Sequence, residues 1–122
     1  MKEHDAVALF RGKGKLNCTQ AILKAFQEES GVSDVVIKAA KSLGGGKAPE
    51  GSCGAFHAAR ILLGEQAVTP VAEAFEAEAG STRCRRIRAM KKFTCRDCVA
   101  LSAKVLEQHL DAVAKASDSQ AA

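Results

Sequence analysis

Apolar residues recur along the chain at three- and four-residue intervals, the spacing that lines one face of a helix. Small polar residues and glycines separate the runs, as helix starts and stops do. In residues 3–11, Ala6, Leu9 and Phe10 share one side, and Gly12-Lys13-Gly14 breaks the pattern. Asn17 followed by Gln20 spells a capping box. The helix it opens is expected to run to about Ser30, with Cys18, Ile22, Ala25 and Phe26 inward, until Gly31 ends it. Ser33 caps a third helix, with Asp34 in its first turn and Val36, Ala39, Ala40 and Leu43 as its stripe. Residues 44–52 hold four glycines and Pro49, the largest break in the chain. Ser52 is the expected cap of a fourth helix, Cys53 to Leu63, apolar almost all round and so expected at the centre. Thr69-Pro70 opens a fifth helix that runs to Ala79 and stops at Gly80. Ser81 is the expected cap of a sixth, which carries Cys84, Ile87 and Met90. Thr94 with Asp97 resembles a second capping box. The last helix is expected from Cys95 to about Lys115, with Val99, Leu101, Val105, Leu106, Leu110 and Val113 apolar. The pattern predicts an all-α fold: a compact bundle of about six or seven helices, without a sheet, packed around the helix 53–63. It makes one domain of residues 1–116 and leaves 117–122 as a frayed tail.

Composition agrees. A chain of 122 residues is one ordinary domain and can bury a core without disulfide staples. Alanine, the best helix former, fills 23 positions, and no β-branched run exceeds Val35-Val36-Ile37. No stretch approaches the roughly 18–20 apolar residues of a membrane span. The charged start Met1–Asp5 is followed by no apolar stretch, so no secretory signal is expected and a reducing cytoplasm is the expected compartment.

The net charge of +4 changes the picture only through its distribution. Between Arg83 and Cys98 lie seven basic residues and one acid, Asp97. Such a run suits an anionic partner. With no Trp or Tyr in the chain, and Phe93 the aromatic nearby, base stacking has little to use, and nucleic acid is not the favoured partner.

The chemistry lies in five cysteines, an odd number that complete internal pairing cannot accommodate. All five fall in the first turn of an expected helix: Cys18 after Asn17, Cys53 after Ser52, Cys84 after Ser81, and Cys95 and Cys98 after Thr94. A helix start offers unpaired N–H groups and the positive end of the dipole, which stabilise a thiolate. Arg83, Arg85 and Arg86 flank Cys84, and Arg96 follows Cys95. Cys53 and Cys84 are therefore expected to be the most acidic thiols. The thiolate is both nucleophile and metal ligand, so the arrangement serves redox chemistry or metal binding. Cys95-Arg96-Asp97-Cys98 places two sulfurs on one helix face, fit for a disulfide or one metal ion. It lacks the βαβ setting of a thioredoxin motif and the second CxxC of a zinc ribbon.

Asn17-Cys18-Thr19-Gln20-Ala21, the glycine loop leading to Gly51-Ser52-Cys53-Gly54-Ala55, Gly80-Ser81-Thr82-Arg83-Cys84, and Cys95 before a final amphipathic helix together resemble the C_GCAxxG_C_C family. That family is described as redox-active and named for its cysteine pattern. The resemblance spans roughly residues 6–112. It implies Cys18, Cys53, Cys84 and Cys95 as the site residues, with Cys98 an addition and expected to be peripheral. The chain departs from the pattern in having Ser52 before and Gly54 after the second cysteine, and His57-Ala58 where a small residue is expected a turn later.

Four functions follow from these residues. The first is thiol–disulfide redox chemistry through Cys18, Cys53, Cys84 and Cys95, with a redox protein or small thiol as partner. The second is a module in which three or four of the same thiolates, with Cys98 or His57 as further donors, hold zinc or an iron–sulfur cluster. The third is an interaction surface along 83–96. The fourth is a structural role for the cysteines as small buried residues. His57 also suits a hydrogen-bonded core position, and His4 and His109 read as surface residues. The loop Gly44-Gly45-Gly46-Lys47 lacks the phosphate-cradle pattern and a preceding strand, so it reads as a helix stop or a close approach.

Overall fold

The computed structural model describes residues 2–12, 14–44, 48, 51–64 and 67–121, with side chains as far as residue 112. Gly45, Gly46, Lys47 and Pro49 of the glycine-rich loop, and the side chain of Val113, lie outside the described residues. The helices are α1 (Lys2–Leu9), α2 (Cys18–Ala25), α3 (Gln27–Ser30), α4 (Asp34–Ala39), a 3₁₀ turn (Ala40–Leu43), α5 (Gly54–Leu63), α6 (Thr69–Ala79), α7 (Cys84–Met90) and α8 (Cys95–Ala121). Among the described residues there is no strand, only isolated bridges at Phe10–Leu16 and Ser52–Arg83. The fold is all-α. None of the described helices is long and apolar enough to cross a membrane.

The caps explain most boundaries. Asn17 Oδ1 accepts from the Gln20 N–H at 2.8 Å, and Gln20 Oε1 accepts from the Asn17 N–H at 3.1 Å. Thr94 and Asp97 make the same reciprocal pair at 3.1 and 2.9 Å. Each box satisfies donors that a helix start would otherwise leave open. Ser33 Oγ caps α4 by accepting from Val36 N–H. Gly31 and Gly80 stop their helices at φ 73° and 88°, which a side chain would resist.

Boundaries differ from expectation where tertiary packing intervenes. The expected helix to Ser30 divides at Phe26, whose backbone leaves the helical range while its ring packs into the core. Thr69 is the first helical residue of α6, and Val68 holds the cap position. Ser81 does not cap α7; it accepts from Arg83 N–H at 3.0 Å, and Arg83 precedes the helix. The last helix continues to Ala121, beyond the expected end near Lys115. The stripe of α4 is Ile37, Ala40 and Leu43, while Val36 and Ala39 face solvent. The passage from a short α-helix into a 3₁₀ turn brings residues three apart onto one face, which favours this set.

The core forms where α2 and α5 meet α8. Ile22 and Leu23 from α2, Phe26 just after it, Phe56 from α5, Phe75 from α6 and Leu106 from α8 are fully buried. Each such side chain contributes about 1.5–3 kcal/mol by leaving water. Ala55, Ala58 and Ala59 keep α5 thin, so neighbouring helices pack close. Ser102 Oγ on α8 donates to the Ala55 carbonyl of α5 at 2.7 Å inside the core. The expectation of all-round burial for α5 holds for its first six residues and fails at its end, where Ile61 is exposed. It also applies to α2, seven of whose eight residues are buried.

Candidate functional site

Four helices begin at one end of this core, and each brings cysteine with it. At the start of α2, Asn17 Nδ2 donates to the carbonyls of Ala40 and Lys41, and Gln20 Nε2 donates to that of Ile37. These bonds tie the helix start to the end of α4 and hold Cys18 as its first residue. The start of α5 lies against it: a Cβ on Gly54 would stand 2.5 Å from both Cys18 Sγ and Thr19 Oγ1. Glycine at this position is therefore a matter of space, which accounts for the departure from alanine after the second cysteine.

The start of α7 is brought alongside by an isolated antiparallel bridge between two segments of the chain. Ser52 pairs with Arg83, and Cys53 N–H donates to the Thr82 carbonyl at 2.7 Å. Ser52 is committed to this pairing, so the cap of α5 is Cys53 itself, one residue later than expected. Cys84 is the first residue of α7. After Lys91 and Phe93, the Thr94–Asp97 box opens α8 with Cys95, and Cys98 follows one turn on, its N–H bonded to the Thr94 carbonyl.

Cys18, Cys53, Cys84, Cys95 and Cys98 all line one cavity of about 20 Å³. That is room for about one water molecule. Gly54, Ile87 and Phe93 supply the remaining apolar wall, and Arg88 and Thr94 the polar part. No disulfide joins the five, and four are buried, while Cys95 is half-exposed. The four cysteines singled out by the family resemblance are thus together. Cys98 is not peripheral; at 3% exposure it is the most buried of the set. Its position one turn after Cys95 on α8, facing α5, places it there.

Cys53 and Cys98 act on each other. The Cys98 thiol hydrogen-bonds the Cys53 sulfur, and this is the main reason that the Cys53 pKa falls from 9.0 to about 7. Burial opposes the shift. Although the Cys53 thiol makes no full capping hydrogen bond, the N–H groups of Phe56 and Ala55 and the Arg88 charge favour its thiolate. Cys98 moves the other way: its proton is held by the hydrogen bond to Cys53, by burial, and by the neighbouring sulfurs. One proton shared between two sulfurs makes one acidic and the other reluctant.

The expectation for Cys84 is overturned. Its pKa is raised, chiefly by burial, with Arg88 working against the rise. Arg83, Arg85 and Arg86 are adjacent in sequence but exposed, and none of them lines the cavity. The arginine that reaches the sulfurs is Arg88, a turn after Cys84, and its Nη2 donates to Cys95 Sγ at 3.6 Å. Reading by helical spacing instead of chain adjacency would have found it. Phe93, half-buried against the sulfurs, carried no such signal.

His57 is buried on α5 with its N–H bonded to the Cys53 carbonyl at 2.8 Å, and it is absent from the cavity wall. Among the described residues no group of three or more His, Cys, Asp or Glu side chains is arranged to hold a metal ion. The basic residues 83–96 lie mostly on the exposed face of α7 and the loop after it.

Residues 16–109 match the family described as "Putative redox-active protein (C_GCAxxG_C_C)". No curated protein and no solved structure matches the chain. The matched span contains the starts of all four converging helices and every cysteine, and on that match the chain belongs to the C_GCAxxG_C_C family.

Proposed function

We propose that this chain is a thiol–disulfide redox protein in which Cys53 is the attacking thiolate and Cys98 its internal partner. The observation that carries the reading is that Cys53 and Cys98 line one cavity walled by five thiols, where Cys98 favours the Cys53 thiolate. Oxidation joins Cys53 and Cys98 and releases two electrons and the proton they share. Cys95, half-exposed on the same face of α8 as Cys98, is the outward thiol. It exchanges with a redox protein or small thiol that cannot reach the buried pair. Cys18 and Cys84 complete the wall, and Cys84 stays protonated near neutral pH because burial raises its pKa. A dithiol resting state of this kind suits a reducing compartment such as the cytoplasm.

The zinc or iron–sulfur reading on Cys18, Cys53, Cys84 and Cys95 has less support. Among the described residues no group of three or more His, Cys, Asp or Glu side chains is arranged to hold a metal ion.

The test is equilibration of the reduced protein with graded ratios of reduced and oxidised dithiothreitol, followed by acid quench, digestion and mass spectrometry. The expected product is a Cys53–Cys98 disulfide that C53S and C98S both abolish. Absence of any internal disulfide under oxidising ratios, or stoichiometric iron or zinc in protein purified without oxygen, would overturn the proposal.

A further inference from the structure

We propose that the oxidant reduced at this site is a small hydroperoxide, either hydrogen peroxide or a short alkyl hydroperoxide, which reacts at Cys53 Sγ. The inference rests on the thiol–disulfide reading and names its substrate class. Size carries the first part of it. Cys53 is 5% exposed and Cys98 3%, and the cavity between the sulfurs has about 20 Å³. Attack on a disulfide needs three sulfurs nearly in line, with the bulk of the second molecule behind the sulfur attacked. A peptide or protein disulfide has no space for that at Cys53. Hydrogen peroxide is little larger than one water molecule, for which the cavity has room.

The lining carries the second part. When a thiolate attacks a peroxide, negative charge develops on the departing oxygen. A cation or hydrogen-bond donor aimed at that charge lowers the barrier. Among the described residues the cavity wall has one charged side chain, the Arg88 guanidinium, and one hydroxyl, that of Thr94. Arg88 already donates to Cys95 Sγ across the opening, so its charge sits at the entrance to the cavity. Among the described residues no carboxylate lines the wall to repel the departing anion.

The chemistry balances with the groups present. The Cys53 thiolate attacks one peroxide oxygen, an S–O bond forms and the O–O bond breaks. The departing hydroxide or alkoxide takes a proton from water, and Cys53 becomes a sulfenic acid. The Cys98 sulfur then attacks Cys53; the S–S bond forms, the S–O bond breaks, and hydroxide leaves with the Cys98 proton as water. Two electrons have passed from the two cysteines to the peroxide. A small or protein thiol returns them through Cys95, which exchanges with the disulfide from its place one turn before Cys98.

The experiment uses the full reduced chain, mixed with equal concentrations of hydrogen peroxide or oxidised glutathione, acid-quenched over time and mapped by mass spectrometry. Hydrogen peroxide is expected to form the Cys53–Cys98 disulfide at least about tenfold faster than oxidised glutathione does. In C98S, Cys53 sulfenic acid should accumulate and be trapped by dimedone. R88Q, a change on an exposed side chain, should slow the peroxide step about tenfold or more. If oxidised glutathione forms the pair as fast as peroxide, the hydroperoxide inference falls and the thiol–disulfide reading stands. If neither oxidant touches Cys53 in folded protein, both fall.

Discussion

Replacing Cys98 by alanine removes the hydrogen bond that most favours the Cys53 thiolate, while leaving the burial that disfavours it. That hydrogen bond is the main reason that the Cys53 pKa falls from 9.0 to about 7, which favours its thiolate near neutral pH. Without it the pKa should rise toward its ordinary value, so any reaction through the thiolate should slow at neutral pH by about tenfold or more. Burial without its counterweight would push the loss further. Cys98→Ser retains a donor and should recover much of the effect. The assay is the ultraviolet absorbance of thiolate followed against pH, with the C53S curve subtracted to isolate Cys53. The expected midpoint is near 7 in the native chain and about two pH values higher in C98A. A midpoint that stays near 7 in C98A would refute the reasoning and transfer the cause to the helix start and Arg88.

The same pair predicts a stability profile. Between about 7 and 9 the folded pair holds one proton and the unfolded pair two, so stability should rise with pH; above 9 the unfolded pair holds none and stability should fall. Chemical denaturation across that range, compared with C53S/C98S, checks the maximum near 9; a flat difference would contradict the coupling. Gly54→Ala places a Cβ on Cys18 Sγ and Thr19 Oγ1 and should cost about 1–3 kcal/mol in urea denaturation, and an unchanged midpoint would show that α2 and α5 can part without cost. Asn17→Ala loses the cap of α2 and both bonds to the 3₁₀ turn after α4, with an expected cost of about 1–2 kcal/mol by thermal or chemical unfolding. In timed alkylation of the reduced protein at pH 8, half-exposed Cys95 should be modified before buried Cys84; the reverse order would mean that Arg83, Arg85 and Arg86 reach Cys84 after all.

The local physics of helix ends was legible in the chain and survived folding. Asn17 with Gln20, Ser33, and Thr94 with Asp97 cap helices because each bond spans three residues and needs nothing from elsewhere. For the same reason every cysteine stands in or beside a first turn, as the residue pattern indicates. Where a distant partner competes for a group, local reading failed. Ser52 is drawn into a bridge with Arg83, and the cap of α5 passes to Cys53. Ser81 fails for a local reason: its hydroxyl accepts from the Arg83 N–H two residues on, a turn bond that competes with capping α7.

By itself, then, the sequence determined an all-helical chain with thiols at its helix starts and membership of a cysteine-patterned family. Tertiary structure decided which thiols matter to one another and with what acidity. Cys53 and Cys98 lie 45 positions apart, and their shared proton exists only because the starts of α5 and α8 meet. Cys84 has three arginines around it in sequence, yet burial outweighs them, since a charge pointing into water is screened while the loss of water around the sulfur is not. A pKa is set by distances and dielectric in space, and chain adjacency supplies neither.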